Sequence, residues 1–199
     1  MIIGVTGGIA SGKSEVCRIL EQNGFVHIDA DEVAHDVLEI PEVIGQITEV
    51  FGNEILDAKD DERGPLFIDR KKLGKIVFAD NDKMSILENI THPQIIRQIQ
   101  GIINRADNKN FVIEAIELVS SGLVNICDVL WVVHAEPEQQ IHRLMTYRNM
   151  SYDDAMARLK TQEVHDWDEE TADCVIYSTE PLETMRSQVE DALQALLDS

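Results

Sequence analysis

A chain of 199 residues suits one compact domain with a small insertion, and is long enough to bury a core. Its 37 acidic residues against 17 basic ones leave a formal charge of -20, a field that repels a bare polyanion and argues against nucleic acid as a partner. A local cluster of amides, Lys and Arg with Mg2+ overrides that total at short range, so a phosphorylated small molecule is not excluded.

In chain order, "IIGVT" (2 to 6) is an apolar run ending at glycines, the pattern of a buried strand entering a loop. "KSEVCRILEQNG" follows as a helix with Val16, Ile19 and Leu20 on one face and Gly24 as its stop. "FVHI" (25 to 28) predicts a second strand, and "DADEVAHDVLEI" an acid-rich helix start. About eighty residues with no convincing strand then carry the helical pieces "PEVIGQITEVFG", "DRKKLGKIVFAD" with Asp69 as N-cap, and "HPQIIRQIQGIINRA". Further strands are expected at "FVIEA" (111 to 115), "DVLWVVHA" (128 to 135) and "DCVIY" (173 to 177), each followed by helical pattern. "SYDDAMARLKTQ" carries a capping box, Ser151 with Asp154, and residues 163 to 172 read as an exposed acidic loop. Strands alternating with helices argue for a three-layer α/β fold on a parallel sheet. The excursion from about 30 to 109 reads as a substrate-covering helical region, and about 136 to 171 as a lid over a core of about 1 to 29, 110 to 135 and 172 to 199.

Cys17, Cys127 and Cys174 are odd in number and far apart, so they read as buried thiols in a reducing compartment rather than a disulfide or zinc framework. No basic segment precedes an apolar run at the start, and the most apolar stretch, residues 111 to 133, is interrupted by Glu114, Glu117 and Asp128. A soluble cytoplasmic protein is expected.

The strongest local signal is "GGIASGKSE". Gly7, Gly12, Lys13 and Ser14 satisfy G-x-x-x-x-G-K-[ST] between a predicted strand and a predicted helix. The loop from Gly7 through Gly8, Ile9, Ala10 and Ser11 to Gly12 is expected to wrap phosphates in backbone N–H groups, with Lys13 on the β and γ phosphates and Ser14 on Mg2+. Phosphoryl transfer also needs a group to orient the acceptor and cations to take up charge. Asp29 and Asp31 in "HIDAD" stand where the second strand ends; either orients an acceptor hydroxyl or simply caps the next helix. Arg143 and Arg148 follow the "WVVHA" strand and either clamp phosphates or pair with acids on a solvated face. Glu114 either holds Mg2+ through water or ends its strand in solvent. His92 beside Pro93 reads as a helix-start histidine, and Arg70, Lys71, Lys72 and Lys75 as a solvated helix face.

Together the segments "GVTGGIASGKS", "HIDADEVAHDVL", "FGNEIL", "DRKKLGKIVF", "HPQII", "SGLVNICD", "EQQIHRLMTYR" and "ARLKTQE", in that order over nearly the whole chain, resemble the dephospho-coenzyme A kinases. These are P-loop enzymes that phosphorylate the ribose 3'-hydroxyl of dephospho-coenzyme A with ATP. The resemblance implies an adenylate-kinase-like core with a five-stranded parallel sheet, a helical acceptor-binding region holding dephospho-coenzyme A, and a lid. It also implies Asp31 as the catalytic aspartate, Lys13 as the phosphate lysine, Ser14 as the Mg2+ ligand and Arg143 as the arginine on the transferred phosphate. The chain departs from the family pattern at Glu15, where Ser or Thr is usual and a carboxylate repels the α-phosphate. It departs again at Ile116 and Ser120 in "IELVS", in the acidic "HDWDEETAD", and at Tyr177 and Ser178 in place of D-N. Those departures keep two alternatives open: a kinase of the same architecture for another nucleotide or small hydroxyl compound, and a nucleotide-binding module without transfer. A GTP switch lacks its N-K-x-D motif.

Overall fold

The computed structural model describes residues 1–57, 67–107, 109–160, 171–178 and 181–198. The chain divides into two compact units, Met1–Asp29 with Ala106–Ser199, and Ala30–Arg105.

The first unit is built on β1 (Ile2–Thr6), α1 (Lys13–Gln22) and β2 (Val26–Asp29). The second, helical unit follows in the chain. It comprises α2 (Ala30–Val37), α3 (Pro41–Phe51), the short strands β3 (Leu56–Asp57) and β4 (Phe67–Ile68), α4 (Arg70–Val77) and α5 (Asn81–Arg105). The chain then returns to the first unit with β5 (Phe111–Glu114), β6 (Val129–His134), α6 (Pro137–Arg148), α7 (Tyr152–Lys160), β7 (Cys174–Tyr177) and α8 (Leu182–Leu197).

The main sheet runs β2-β5-β1-β6-β7, and every pairing in it is parallel. Its central strands are largely apolar because helices cover both faces of a parallel sheet, with Thr6, Glu114 and His134 at their C-terminal ends. The register places Ile3 beside Val112 and Val129, and Val5 beside Glu114 and Trp131, so these residues share one face. There Ile3, Val5, Val112 and Trp131 form a core with Val16, Cys17, Ile19 and Leu20 of α1 and Met185, Val189 and Leu193 of α8, with Val129 packed against it. On the opposite face Gly4 lies so close to Leu118 and Cys127 that a Cβ would come within 2.7 Å of Leu118 Cδ2. α1 stops as expected: Gly24, at φ +90°, donates its N–H to Glu21 O, and Phe25 donates to Leu20 O. Ser151 caps α7, accepting from the Asp154 N–H at 3.1 Å and donating its hydroxyl to the Asp154 carboxylate at 2.6 Å.

In the helical unit α2, α3 and α4 pack on α5. The Asp69 carboxylate caps α4 by accepting the N–H groups of Lys71 and Lys72 at 2.8 and 3.1 Å. Four expectations are corrected. His92 does not start a helix: α5 runs unbroken from Asn81 to Arg105 with Pro93 inside it. A proline there costs about 3 kcal/mol, but Thr91, Ile95 and Ile99, four residues apart, carry one buried stripe through it, and burial outweighs the local penalty. The excursion also holds strands, the antiparallel pair β3 and β4, at two residues each too short to show alternation. After β5 comes a 3-10 turn, Leu123–Ile126, where an α-helix was expected. Of the three thiols only Cys17 is buried; Cys127 and Cys174 are half-buried. The acidic loop expected at 163 to 172 falls almost wholly outside the described residues.

Candidate active site

The turn from β1 into α1 is fixed by steric necessity at its two ends. Gly7 has φ +147°, and a Cβ on it would stand 2.3 Å from the Val133 carbonyl oxygen, so only hydrogen fits. Gly12 has φ +109°, and a Cβ there would stand 2.7 Å from the Ser178 hydroxyl oxygen. Between them Ala10 takes φ +54°, a left-handed conformation unusual for a residue with a side chain.

All six loop carbonyls accept hydrogen bonds. The Lys13 ammonium donates to Gly7 O and Gly8 O at 2.9 Å each, and the Ser11 N–H also donates to Gly8 O. Gln140 on α6 donates to Ile9 O at 2.8 Å. One helical turn on, Arg143 donates to Ala10 O and Ser11 O at 3.0 Å each. The first-turn amides of Glu15 and Val16 donate to Gly12 O. Carbonyl oxygens are the groups that would repel a phosphate, and in a planar trans peptide a pinned carbonyl fixes its N–H in the opposite direction. The donors therefore set a ring of peptide dipoles of the kind that holds anions. The Ser11 hydroxyl is buried and has no partner among the described residues.

Just past the loop, the Ser14 hydroxyl donates to Glu114 Oε1 at 2.9 Å. Glu114 is 9 % exposed, which removes the reading of a strand-end acid in solvent. Its second oxygen, Oε2, lies 3.1 Å from His27 Nε2, and the Cys17 thiol adjoins the same carboxylate. Burial pushes the Glu114 carboxyl up, but the His27 contact, the Ser14 bond and the Lys13 charge outweigh it and hold the group below its usual value. The close contact with the Glu114 carboxylate raises His27 against the opposing effect of burial. Burial first, and the Glu114 charge second, push the Cys17 thiol well up.

Glu15 does not leave its charge bare, for Arg18 grips the carboxylate with two guanidinium nitrogens, Nε at 2.9 Å and Nη2 beside it. Lys13, Ser14, Glu114 and Arg143 thus gather around the loop. Arg148 is exposed in the last turn of α6, and five residues of helix turn it to a different face from Arg143. Asp29 ends β2 in register with Glu114, while Asp31 is the second residue of α2 and belongs to the helical unit. Sequence reasoning missed Gln140 and His27 and noted Ser178 only as a departure. Gln140 stands three residues before Arg143, a spacing that puts both on one helix face, and His27, two residues before Asp29, shares with it the face of Glu114.

Mg2+ takes hard oxygen donors and is usually held through one or two carboxylates, waters and substrate phosphates. The Ser14 hydroxyl and the Glu114 carboxylate, in contact at the loop's exit, fit that demand.

The dephospho-CoA kinase family model matches residues 1–183. The chain is 39% identical over 197 residues to a dephospho-CoA kinase of Carboxydothermus hydrogenoformans, covering 97% of this chain and 93% of the relative. Among solved structures, a dephospho-CoA kinase from Campylobacter jejuni is similar at 30% identity and TM-score 0.59, over 98% of this chain and 96% of that one. The Thermus thermophilus protein TT1252 superposes with TM-score 0.82 at 25% identity, over 99% of this chain and 97% of that one.

Proposed function

Because this chain belongs to the dephospho-CoA kinase family, we propose a division of labour among its residues for the phosphoryl transfer that this family performs. The chain is a phosphotransferase that phosphorylates dephospho-CoA in coenzyme A biosynthesis, with ATP as donor. That assignment decides against the two alternatives left open by the sequence.

The observation that carries the proposed roles is the pinning of all six loop carbonyls. It supports the segment Gly7 to Gly12 as the cradle of the ATP phosphates, held in shape before the substrate arrives. Lys13 meets the β and γ phosphates, exchanging its bonds to Gly7 O and Gly8 O for phosphate oxygens. Arg143 stabilises charge on the transferring group from its place against Ala10 and Ser11. Ser14 and Glu114 would hold Mg2+, directly and through water, and the ion would supply charge neutralisation on the β and γ phosphate oxygens. Arg18 withdraws the Glu15 charge from the nucleotide side of α1. Arg148 is assigned to nucleotide binding only by its place at the end of α6. Asp31 accepts the proton of the 3'-hydroxyl of dephospho-CoA and orients that oxygen for in-line attack. The helical region at about 30 to 109 holds the acceptor, and the segment at about 136 to 171 closes over ATP. Three free thiols agree with a reducing, cytoplasmic setting, and no described helix is long and apolar enough to cross a membrane.

The test is Asp31→Asn in a coupled ADP-release assay with ATP, Mg2+ and dephospho-CoA. Loss of a general base costs about 10²- to 10⁴-fold in rate, with ATP affinity nearly unchanged. Turnover at the wild-type rate would take Asp31 out of the mechanism, and product mass fixes the phosphorylated oxygen.

A further inference from the structure

Beneath Ser14, three side chains from three elements meet at one point. Strand β2 is at the sheet edge, and its register with β5 sets His27 beside Val112 and Asp29 beside Glu114, so His27 and Glu114 project from the same face. Helix α1 covers that face and contributes Cys17, fully buried. One oxygen or nitrogen of each polar residue and the Cys17 sulfur all lie within 4.8 Å of one another.

Two of these atoms are anomalous for a protein interior. His27 Nε2 and Glu114 Oε2 are both buried, and neither has an aligned hydrogen-bond partner among the described residues, although they lie 3.1 Å apart. Buried polar atoms are nearly always satisfied, and the exceptions call for a reason such as an ion. The donor set itself is selective. Thiolate, imidazole and carboxylate together are the ligands of zinc, whereas Mg2+ takes oxygen alone. The edge of a zinc tetrahedron is about 3.5 Å from its bond lengths, so from separations within 4.8 Å the three atoms need to close by about 1.3 Å at most, within reach of side-chain rotations.

We propose that Cys17, His27 and Glu114 form a site for a borderline divalent cation of the zinc class, with three protein ligands and a fourth position open beside Ser14. Coordination replaces the Cys17 thiol proton and the proton that His27 Nε2 holds toward Glu114, both of which pass to solvent, and the charge of the ion compensates the burial of the thiolate. The side chain of His27, 22% exposed on an edge strand, gives the ion its way in. Loading the site draws Glu114 away from the Ser14 hydroxyl, so the cation acts against the phosphate loop. The binding stands independently of the kinase mechanism above; only this inhibitory consequence rests on it.

The probe is Co2+, titrated into the chelator-washed full-length protein and followed by its thiolate charge-transfer and tetrahedral ligand-field absorption. The expected result is saturation at one Co2+ per chain, persistence in excess Mg2+, and displacement by Zn2+. Cys17→Val and His27→Gln each lose the bands while unfolding as cooperatively as wild type; Cys127→Ser and Cys174→Ser keep them. Absence of charge transfer in the wild type, or its survival in Cys17→Val, would overturn the site. Were Cys17→Val to unfold, His27→Gln at its part-exposed edge position decides alone. In the ADP-release assay, half-inhibition by Zn2+ is expected to require at least tenfold more metal in Cys17→Val than in wild type. Equal inhibition would overturn the coupling to the loop, and a protein without turnover would still be judged by the cobalt spectrum.

Discussion

Gly8→Ala tests whether Gln140 holds the loop. Gly8 has no positive φ to forbid a side chain, and the atoms an added Cβ would meet belong only to Gln140, Nε2 at 2.7 Å and Cδ at 3.9 Å. The methyl therefore displaces the amide that donates to Ile9 O at 2.8 Å. A lost hydrogen bond costs about 1 kcal/mol and a buried group left unsatisfied about 1 to 3, while reduced unfolded-chain entropy returns about 0.4 to 1. The net is about 1 to 2 kcal/mol, or a Tm fall of roughly 2 to 8 °C for a chain of this size. Gln140→Ala alone should cost a similar amount, because it orphans the same carbonyl. In the double variant the Cβ has room, so the pair should cost no more than Gln140→Ala, a coupling of about 1 to 2 kcal/mol. The assay is thermal unfolding without nucleotide, paired with ATP affinity, across all four proteins. Additivity within about 0.5 kcal/mol would refute the reasoning. Gly7→Ala is the contrast: its Cβ meets the Val133 backbone oxygen at 2.3 Å, no neighbouring side-chain change relieves it, and nucleotide binding should fail in every background.

Trp131→Ala should cost about 3 to 5 kcal/mol, since the indole is 2 % exposed within the core of α1, α8 and the sheet; a Tm loss under about 3 °C would contradict that packing. His92 gives a pH signature in the helical unit. Burial holds its imidazole below the usual value against the opposing charge of Glu88. A depressed folded pKa means that the unfolded chain takes the proton first, so this stability is complete above about pH 6.5 and is lost as pH falls through the lowered folded value. His92→Gln should therefore shrink the Tm difference between about pH 7.5 and about pH 5.5, and an unchanged difference would remove His92 from the acid response.

The phosphate loop was legible because its constraints are local: Gly7 and Gly12 need positive φ, and a lysine must follow the second glycine. The parallel strands were legible as apolar runs, since burial on both faces removes alternation. Pro93 misled because a single residue signals a break, whereas the stripe Thr91, Ile95 and Ile99 that overrides it gains its energy from partners elsewhere in the chain. The Ser14, Glu114, His27 and Cys17 cluster was invisible as a unit. Its members come from α1, β2 and β5, and only sheet register together with the packing of α1 on β5 brings them together, the Ser14 hydroxyl 2.9 Å from the Glu114 carboxylate. Glu15 misled in the same way, because its Arg18 partner changes the meaning of the charge.

The pairing of β1 bears on how the chain is born. Ile2 pairs with Phe111 and Ile3 with Val129, so β1 leaves the ribosome long before either neighbouring strand exists. The helical unit is continuous from Ala30 to Arg105 and needs no such wait. At about 5 to 20 residues per second, β1 stays unpaired for on the order of 5 to 25 s, an apolar segment open to chaperones and to wrong partners. Protease protection of residues 2 to 6 should appear only in nascent chains that extend past β6, and protection in shorter chains would refute this order. The loop between β1 and α1 is translated well before the strands that flank β1, and waits for them to give it a shape.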